Sequence, residues 1–184
     1  MIKGKNAQVG VAVLYKDDAV TVNNDAQYPL MSVFKFHIAL AVLKKMEQEG
    51  IPLTAVVTLG PSDIGTKTWS PMYKKYKSKK ITLAYADLIN YMVSQSDNNA
   101  CNWLINFVGG IQNVNAFIKG LGIDQIQLID TEKSMEQDIR KSYNNWSTPL
   151  SVAQLLRKVY TEKVLSDEHF AFLVKDMLAS APGI

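Results

Sequence analysis

Cysteine is almost absent: Cys101 is the only one in 184 residues, so no internal disulfide can form. No histidine pairs with it, and it reads as a small buried residue rather than a thiol nucleophile. The two histidines, His37 and His169, fall in separate predicted helices without ligand spacing, so no metal is expected. No organic cofactor is implied either. No apolar run reaches the roughly eighteen residues a membrane-spanning helix needs. The opening Met1-Ile2-Lys3-Gly4-Lys5 lacks the apolar stretch of a secretory leader. Charge is nearly balanced at net +3, too mild to point to nucleic acid. Repeats and low-complexity stretches are missing. What remains, 47% hydrophobic and 20% charged residues, has the composition of a globular domain with a sizeable core.

Alternation of Val9, Val11 and Val13 predicts a strand over Gln8–Leu14. A turn at Lys16-Asp17-Asp18 returns it as a second strand over Ala19–Val22. Phe36, Ala39, Leu40 and Leu43 lie on one helical face and predict a helix over Ser32–Gln48, stopped at Glu49-Gly50. Pro52–Lys80 reads as irregular. Its basic cluster Lys74-Lys75-Tyr76-Lys77-Ser78-Lys79-Lys80 is a solvated loop or a contact for an acidic partner. Helices are predicted over Ile81–Val93, opened by Thr82, and over Asn98–Val108 and Ile111–Gly120. Leu121–Tyr143 is mostly loop with an apolar piece at Ile126–Leu128. Thr148–Tyr160, with Thr148-Pro149 setting its start, and Asp167–Leu178 complete the helices. The fold class is α+β: an N-terminal β-hairpin unit over 1–31 and an all-helical lobe over 32–184.

Within this frame, Ser32-Val33-Phe34-Lys35 is the segment that carries chemistry. Residues three apart share a helix face, so Ser32 and Lys35 meet at the positive end of a helix. A serine hydroxyl is a poor nucleophile until a base takes its proton, and a desolvated lysine can serve as that base. The bland alternative is a capping serine beside a solvated lysine. A second motif, Ser96-Asp97-Asn98, sits between two predicted helices.

Ser-x-x-Lys with Ser-Asp-Asn is the signature of class A β-lactamases and penicillin-binding proteins. The likeness extends to Tyr28-Pro29-Leu30-Met31-Ser32, to Asn99-Ala100-Cys101-Asn102, and to Asn145-Trp146-Ser147-Thr148-Pro149, which resembles the exit of the family's Ω-loop, here near 130–147. The chain as a whole resembles a class A serine β-lactamase of the cephalosporinase-like branch. The resemblance implies hydrolysis of β-lactams through a serine acyl-enzyme, in a periplasmic or secreted monomer. It makes Ser32 the nucleophile and Lys35 the base or proton shuttle. Ser96 becomes the relay to the leaving nitrogen, Asn98 a substrate ligand, and Asp97 a brace for the loop. Trp69, in Trp69-Ser70-Pro71, matches an aromatic at the pocket mouth, and Asn102 a residue that bonds the deacylating glutamate from below.

That glutamate is expected at Glu132, in Thr131-Glu132-x-x-Met135, with Glu136 as the alternative. Asp130 stands where the family usually has arginine, and Glu136 where it has asparagine. The family's Lys-Thr-Gly strand has no match; Lys67-Thr68 is followed by Trp69 and Lys77-Ser78 by Lys79. The reading is therefore of a front portion, ending at Ala181-Pro182-Gly183-Ile184, with an incomplete sheet whose open edge favours self-association. Activity of such a portion is expected to be impaired, because one lost oxyanion donor alone costs about 10²–10³ in rate. A penicillin-binding peptidase, which has no matching loop carboxylate, and a non-catalytic remnant are the alternatives.

Overall fold

The computed structural model describes residues 4–77 and 79–180. Met1-Ile2-Lys3, the chain end 181–184 and Ser78 of the basic cluster lie outside the described residues. In chain order the strands and α-helices are β1 Val11–Tyr15, β2 Asp18–Val22, β3 Tyr28–Pro29, α1 Phe34–Glu49, β4 Val56–Leu59, α2 Pro71–Tyr76, β5 Ile81–Ala84, α3 Tyr85–Ser94, α4 Asn98–Phe107, α5 Ile111–Gly120, β6 Ile126–Gln127, α6 Glu132–Gln137, β7 Trp146–Ser147, α7 Pro149–Thr161 and α8 Asp167–Leu178.

The hairpin pairs Val11 with Val22 and Val13 with Val20. Its turn residue Lys16 has φ 51°, the left-handed conformation that closes tight hairpins. Ala12 and Leu14 are half-buried on the side that meets α7. Val11, Val13, Val20 and Val22 form the opposite, exposed face. Gly10 marks the close approach of this strand to the body: a Cβ there would lie 2.6 Å from the Tyr28 ring and from Pro149.

Helix α1 is the axis of the molecule. The sequence pattern shows one apolar face, but Phe34, Ile38, Ala39, Leu40, Val42, Leu43 and Met46 are buried around the whole circumference. The reason is packing on several sides, by α3, α4 and α5. The helix ends at Gly50, φ 65°, with the Ile51 amide donating back to the Met46 carbonyl, a Schellman closure.

The predicted lobe over 32–184 is not all-helical. Residues 52–80 are not irregular throughout, because β4 pairs antiparallel with β5. The predicted helix over Ile81–Val93 yields its first turn to that strand. Thr82 is no cap: it sits in β5 with its hydroxyl 3.0 Å from that of Thr58, and α3 starts at Tyr85. The Asp87 carboxylate, accepting from the Ala84 amide at 3.3 Å, fixes that start. A further small sheet, in the order β3-β7-β6, joins the approach to Ser32 with both ends of the 130–147 loop. That loop contains α6, where the pattern shows only irregular chain. Helices α7 and α8 begin on Thr148 and Ser166, whose hydroxyls accept from the Ser151 and His169 amides.

Candidate active site

Ser32 lies in a 3-10 turn, Met31–Val33, that runs directly into α1. Its hydroxyl caps nothing. The residue before it, Met31, has φ 46°, and Ser96 has φ 54°. Left-handed backbone at non-glycine residues costs about 1–3 kcal/mol each and persists only where surrounding structure imposes it. Here both strained positions adjoin the same cluster of side chains.

That cluster centres on Lys35, one helical turn from Ser32 and almost fully buried. Its Nζ lies 3.3 Å from Ser32 Oγ, 3.0 Å from Ser96 Oγ, 2.9 Å from the Ser96 carbonyl, 2.6 Å from Asn98 Oδ1 and 2.8 Å from Glu132 Oε1. An ammonium has three hydrogens for these five acceptors. The five oxygens therefore share three hydrogens, and Nζ is held from several sides at once. Ser96 Oγ also stands 2.9 Å from Ser32 Oγ. Ser32, Ser96, Lys35 and Glu132 thus form one continuous chain of polar contacts, with only the Ser32 end exposed.

Asp97 holds the second motif in shape. It is completely buried and accepts from Ser70 Oγ at 2.7 Å, the Met72 amide at 2.7 Å and the Ala100 amide at 3.0 Å. One carboxylate therefore caps α4 and fastens the start of α2 to it. Ser70 in turn caps α2, accepting from the Tyr73 amide at 2.9 Å. Cys101 is buried one turn further along α4, and burial pushes its thiol well above the usual range, so it stays protonated.

A cleft of about 260 Å³ opens in front of Ser32. Its lining includes Lys67, Trp69, Asn98, Glu132 and Glu136. Trp69 is held by its Nε1, which donates to the Gln95 carbonyl at 3.1 Å. Of the two candidate carboxylates only Glu132 contacts Lys35; Glu136 lines the same cleft and is exposed.

Asn102, expected among the substrate-contacting residues and under the glutamate, meets α6 at the residue after Glu132. It lines a different cleft, with Asn99, Trp103 and Lys133. Its Oδ1 accepts from the Lys133 amide at 3.1 Å rather than meeting the Glu132 carboxyl. Asn102 points at the first turn of α6 from behind, where backbone donors are unpaired, and so supports Glu132 through the backbone.

Two residues that sequence reasoning did not assign hold the loop. Asn145 is buried; its Oδ1 accepts from the Ile129 and Asp130 amides at 2.8 and 2.9 Å, and its Nδ2 donates to the Asp130 carbonyl at 2.8 Å. Asp130 accepts from Ser134 Oγ at 2.7 Å and from Asn144 Nδ2 at 2.8 Å. Together they tie the two ends of the loop and aim α6 at Lys35. Thr68, also unassigned, accepts from Asn98 Nδ2 at 2.9 Å. The available signals were the inclusion of Asn145 in the run Asn145-Trp146-Ser147-Thr148-Pro149 and the departure at Asp130.

The family model of the β-lactamase enzyme family matches residues 1–181. This chain belongs to the β-lactamase enzyme family. Among curated relatives, a β-lactamase of Bacteroides uniformis is 40% identical over 185 residues, covering all of this chain and 62% of the relative. β-Lactamase VEB-1 of Pseudomonas aeruginosa is 34% identical, with 62% of its length covered. A class A β-lactamase from Bacteroides cellulosilyticus superposes with a TM-score of 0.95 at 39% identity, over 99% of this chain and 66% of that one. The chain thus spans about three-fifths of the length of these curated relatives, and its fold is the class A β-lactamase fold. Among the described residues no helix is long and apolar enough to cross a membrane.

Proposed function

We propose that the protein opens β-lactam rings by forming and then hydrolysing an acyl-enzyme on Ser32. The observation that carries this reading is the unbroken contact chain from Ser32 through Ser96 and Lys35 to Glu132. Ser32 Oγ attacks the lactam carbonyl and forms the ester bond, while its proton passes into the Lys35 network. The carbon–nitrogen bond breaks, and the leaving nitrogen takes a proton from Ser96. The Ser32 proton held in the network restores Ser96. Glu132 then draws a proton from a water, whose oxygen attacks the ester; the ester C–O bond breaks, and that proton passes through Lys35 to the departing Ser32 Oγ. Asn98, bonded to Lys35 and Thr68, holds the substrate's amide side chain in this reading. The Trp69 ring gives that side chain an apolar surface. No metal or organic cofactor enters these steps. Such an enzyme works in the periplasm or outside the cell, where its substrates arrive.

The presence of Glu132 in contact with Lys35 favours the hydrolase over a peptidase that acylates and stalls. Intact-mass spectrometry of the protein at its full natural length, mixed with a penicillin, tests this. We predict an adduct on Ser32 that forms and clears, and a Glu132→Gln variant whose adduct persists at least about 10²-fold longer. Glu132→Gln clearing at the original rate would transfer the role to another group, Glu136 first. No adduct on Ser32 at any penicillin concentration would end the proposal.

A further inference from the structure

From Ile64 to Ala86 the chain has six lysines and no acidic residue. The fold does not leave this charge in a remote loop. Lys67 lines the Ser32 cleft. Lys74, from α2, sets its Nζ 3.8 Å from the centroid of the Trp69 ring. Among the described residues neither ammonium has a carboxylate within ion-pairing distance, although five other lysines do. Both lysines are exposed.

The backbone that follows Lys67 is tied to the Ser32 end of the cleft. The Asn98 amide donates to the Trp69 carbonyl at 3.0 Å, and Asn98 Nδ2 to Thr68 Oγ1. The same Asn98 side chain accepts from Lys35 at 2.6 Å. The Lys67–Trp69 strip is thus tied to the reacting end of the cleft. The carboxylates of the cleft belong to α6: Glu132 is neutralised by Lys35, and Glu136 repels anions from its own side. An anion entering the cleft is drawn to the Lys67–Trp69 rim.

Resting on the β-lactam reading above, we propose that this rim selects β-lactams whose amide side chain carries a carboxylate or another anionic group. The side chain's apolar part lies on Trp69, its anion meets Lys67, and Lys74 strengthens the field from the ring. An exposed ion pair changes an equilibrium by about 0.2–1 kcal/mol, so each lysine contributes roughly up to fivefold. The effect is screened as salt rises, with a Debye length near 3 Å at about 1 M.

Benzylpenicillin and its α-carboxy derivative differ by one side-chain carboxylate and serve as the probe pair. Second-order acylation rates of Ser32 are measured for the full-length protein and for Lys67→Gln, Lys74→Gln and the double variant, at low and high salt. The expected result is a carboxylated-to-neutral rate ratio that falls about two- to fivefold for Lys67→Gln and further in the double variant. In the unmodified protein that ratio drops toward the double-variant value in about 1 M salt. A ratio unmoved by Lys67→Gln, or insensitive to salt in the unmodified protein, overturns the inference while benzylpenicillin still acylates and the hydrolase reading stands. Absence of any adduct from either compound overturns both.

Discussion

Removing the Asp97 carboxylate tests how the site is held together. Asp97→Ala strands three donors at once: the Ser70 hydroxyl and the amides of Met72 and Ala100. The hydroxyl can rotate to another partner. The two amides belong to the first turns of α2 and α4 and cannot. Leaving a buried donor unpaired costs about 1–3 kcal/mol, more where its acceptor was charged. The sum comes to about 3–6 kcal/mol, a large part of the stability of an ordinary domain. For a chain of this size that lowers the melting temperature by roughly 10 °C or more. Asp97→Asn separates charge from geometry. An amide oxygen in the place of Oδ2 keeps Ser70 and Met72, but its NH₂ then faces the Ala100 amide. This variant should lose about 1–2 kcal/mol. Urea unfolding gives the free energies, and hydrogen exchange at Met72 and Ala100 reports the stranded donors. If Asp97→Ala costs less than about 1 kcal/mol with both amides still protected, the account of Asp97 as the brace of this site is wrong.

Two further predictions follow from other parts of the molecule. His37 is fully buried on α1, and desolvation lowers its pKa to about 4 against the opposing pull of the Val33 and Phe34 carbonyls. The unfolded chain takes up this proton near pH 6.5 and the folded chain near 4. Stability from this residue is therefore complete above about 6.5, falls as pH drops toward 4, and levels off below. The loss amounts to about 3 kcal/mol at 1.36 per unit; His37→Gln should flatten that limb in urea midpoints measured from pH 7 to 4, and an unchanged slope would count against it. Asn145→Ala removes three backbone contacts within the loop, so exchange at the Ile129 and Asp130 amides should rise by about 10-fold or more, well ahead of global unfolding; equal protection in both proteins would show that Asp130 alone suffices.

The sequence made some of this visible because the chemistry is local. Ser32 and Lys35 meet through helical spacing alone, whatever the rest of the chain does. Ser96 and Asn98 reach Lys35 across more than sixty residues, and only the resemblance brought them together. The long helices were legible from their apolar period, with ends within a few residues. Strands β3, β6 and β7 were not, since two-residue strands have no period to detect. β4 and β5 were hidden for another reason. Ile81, Thr82 and Leu83 continue a good helical pattern, and only pairing with Val57, Thr58 and Leu59 makes them a strand. Asn102 lies four residues after Asn98, on nearly the same face of α4, yet one turn further along it meets the α6 backbone at Lys133 and lines another cleft. Asp130 read as a departure from the family pattern; its carboxylate takes up a different pair of donors, which no spacing rule reveals.

The Asn145 clamp has an evolutionary side. It grips the main chain of Ile129 and Asp130 rather than their side chains, and so leaves the exposed positions between its two ends open to change. That interval supplies Glu136 and Ile139 to one wall of the cleft, both facing solvent. Substitutions at 136 and 139 would redraw that wall while the clamp that aims α6 keeps its shape.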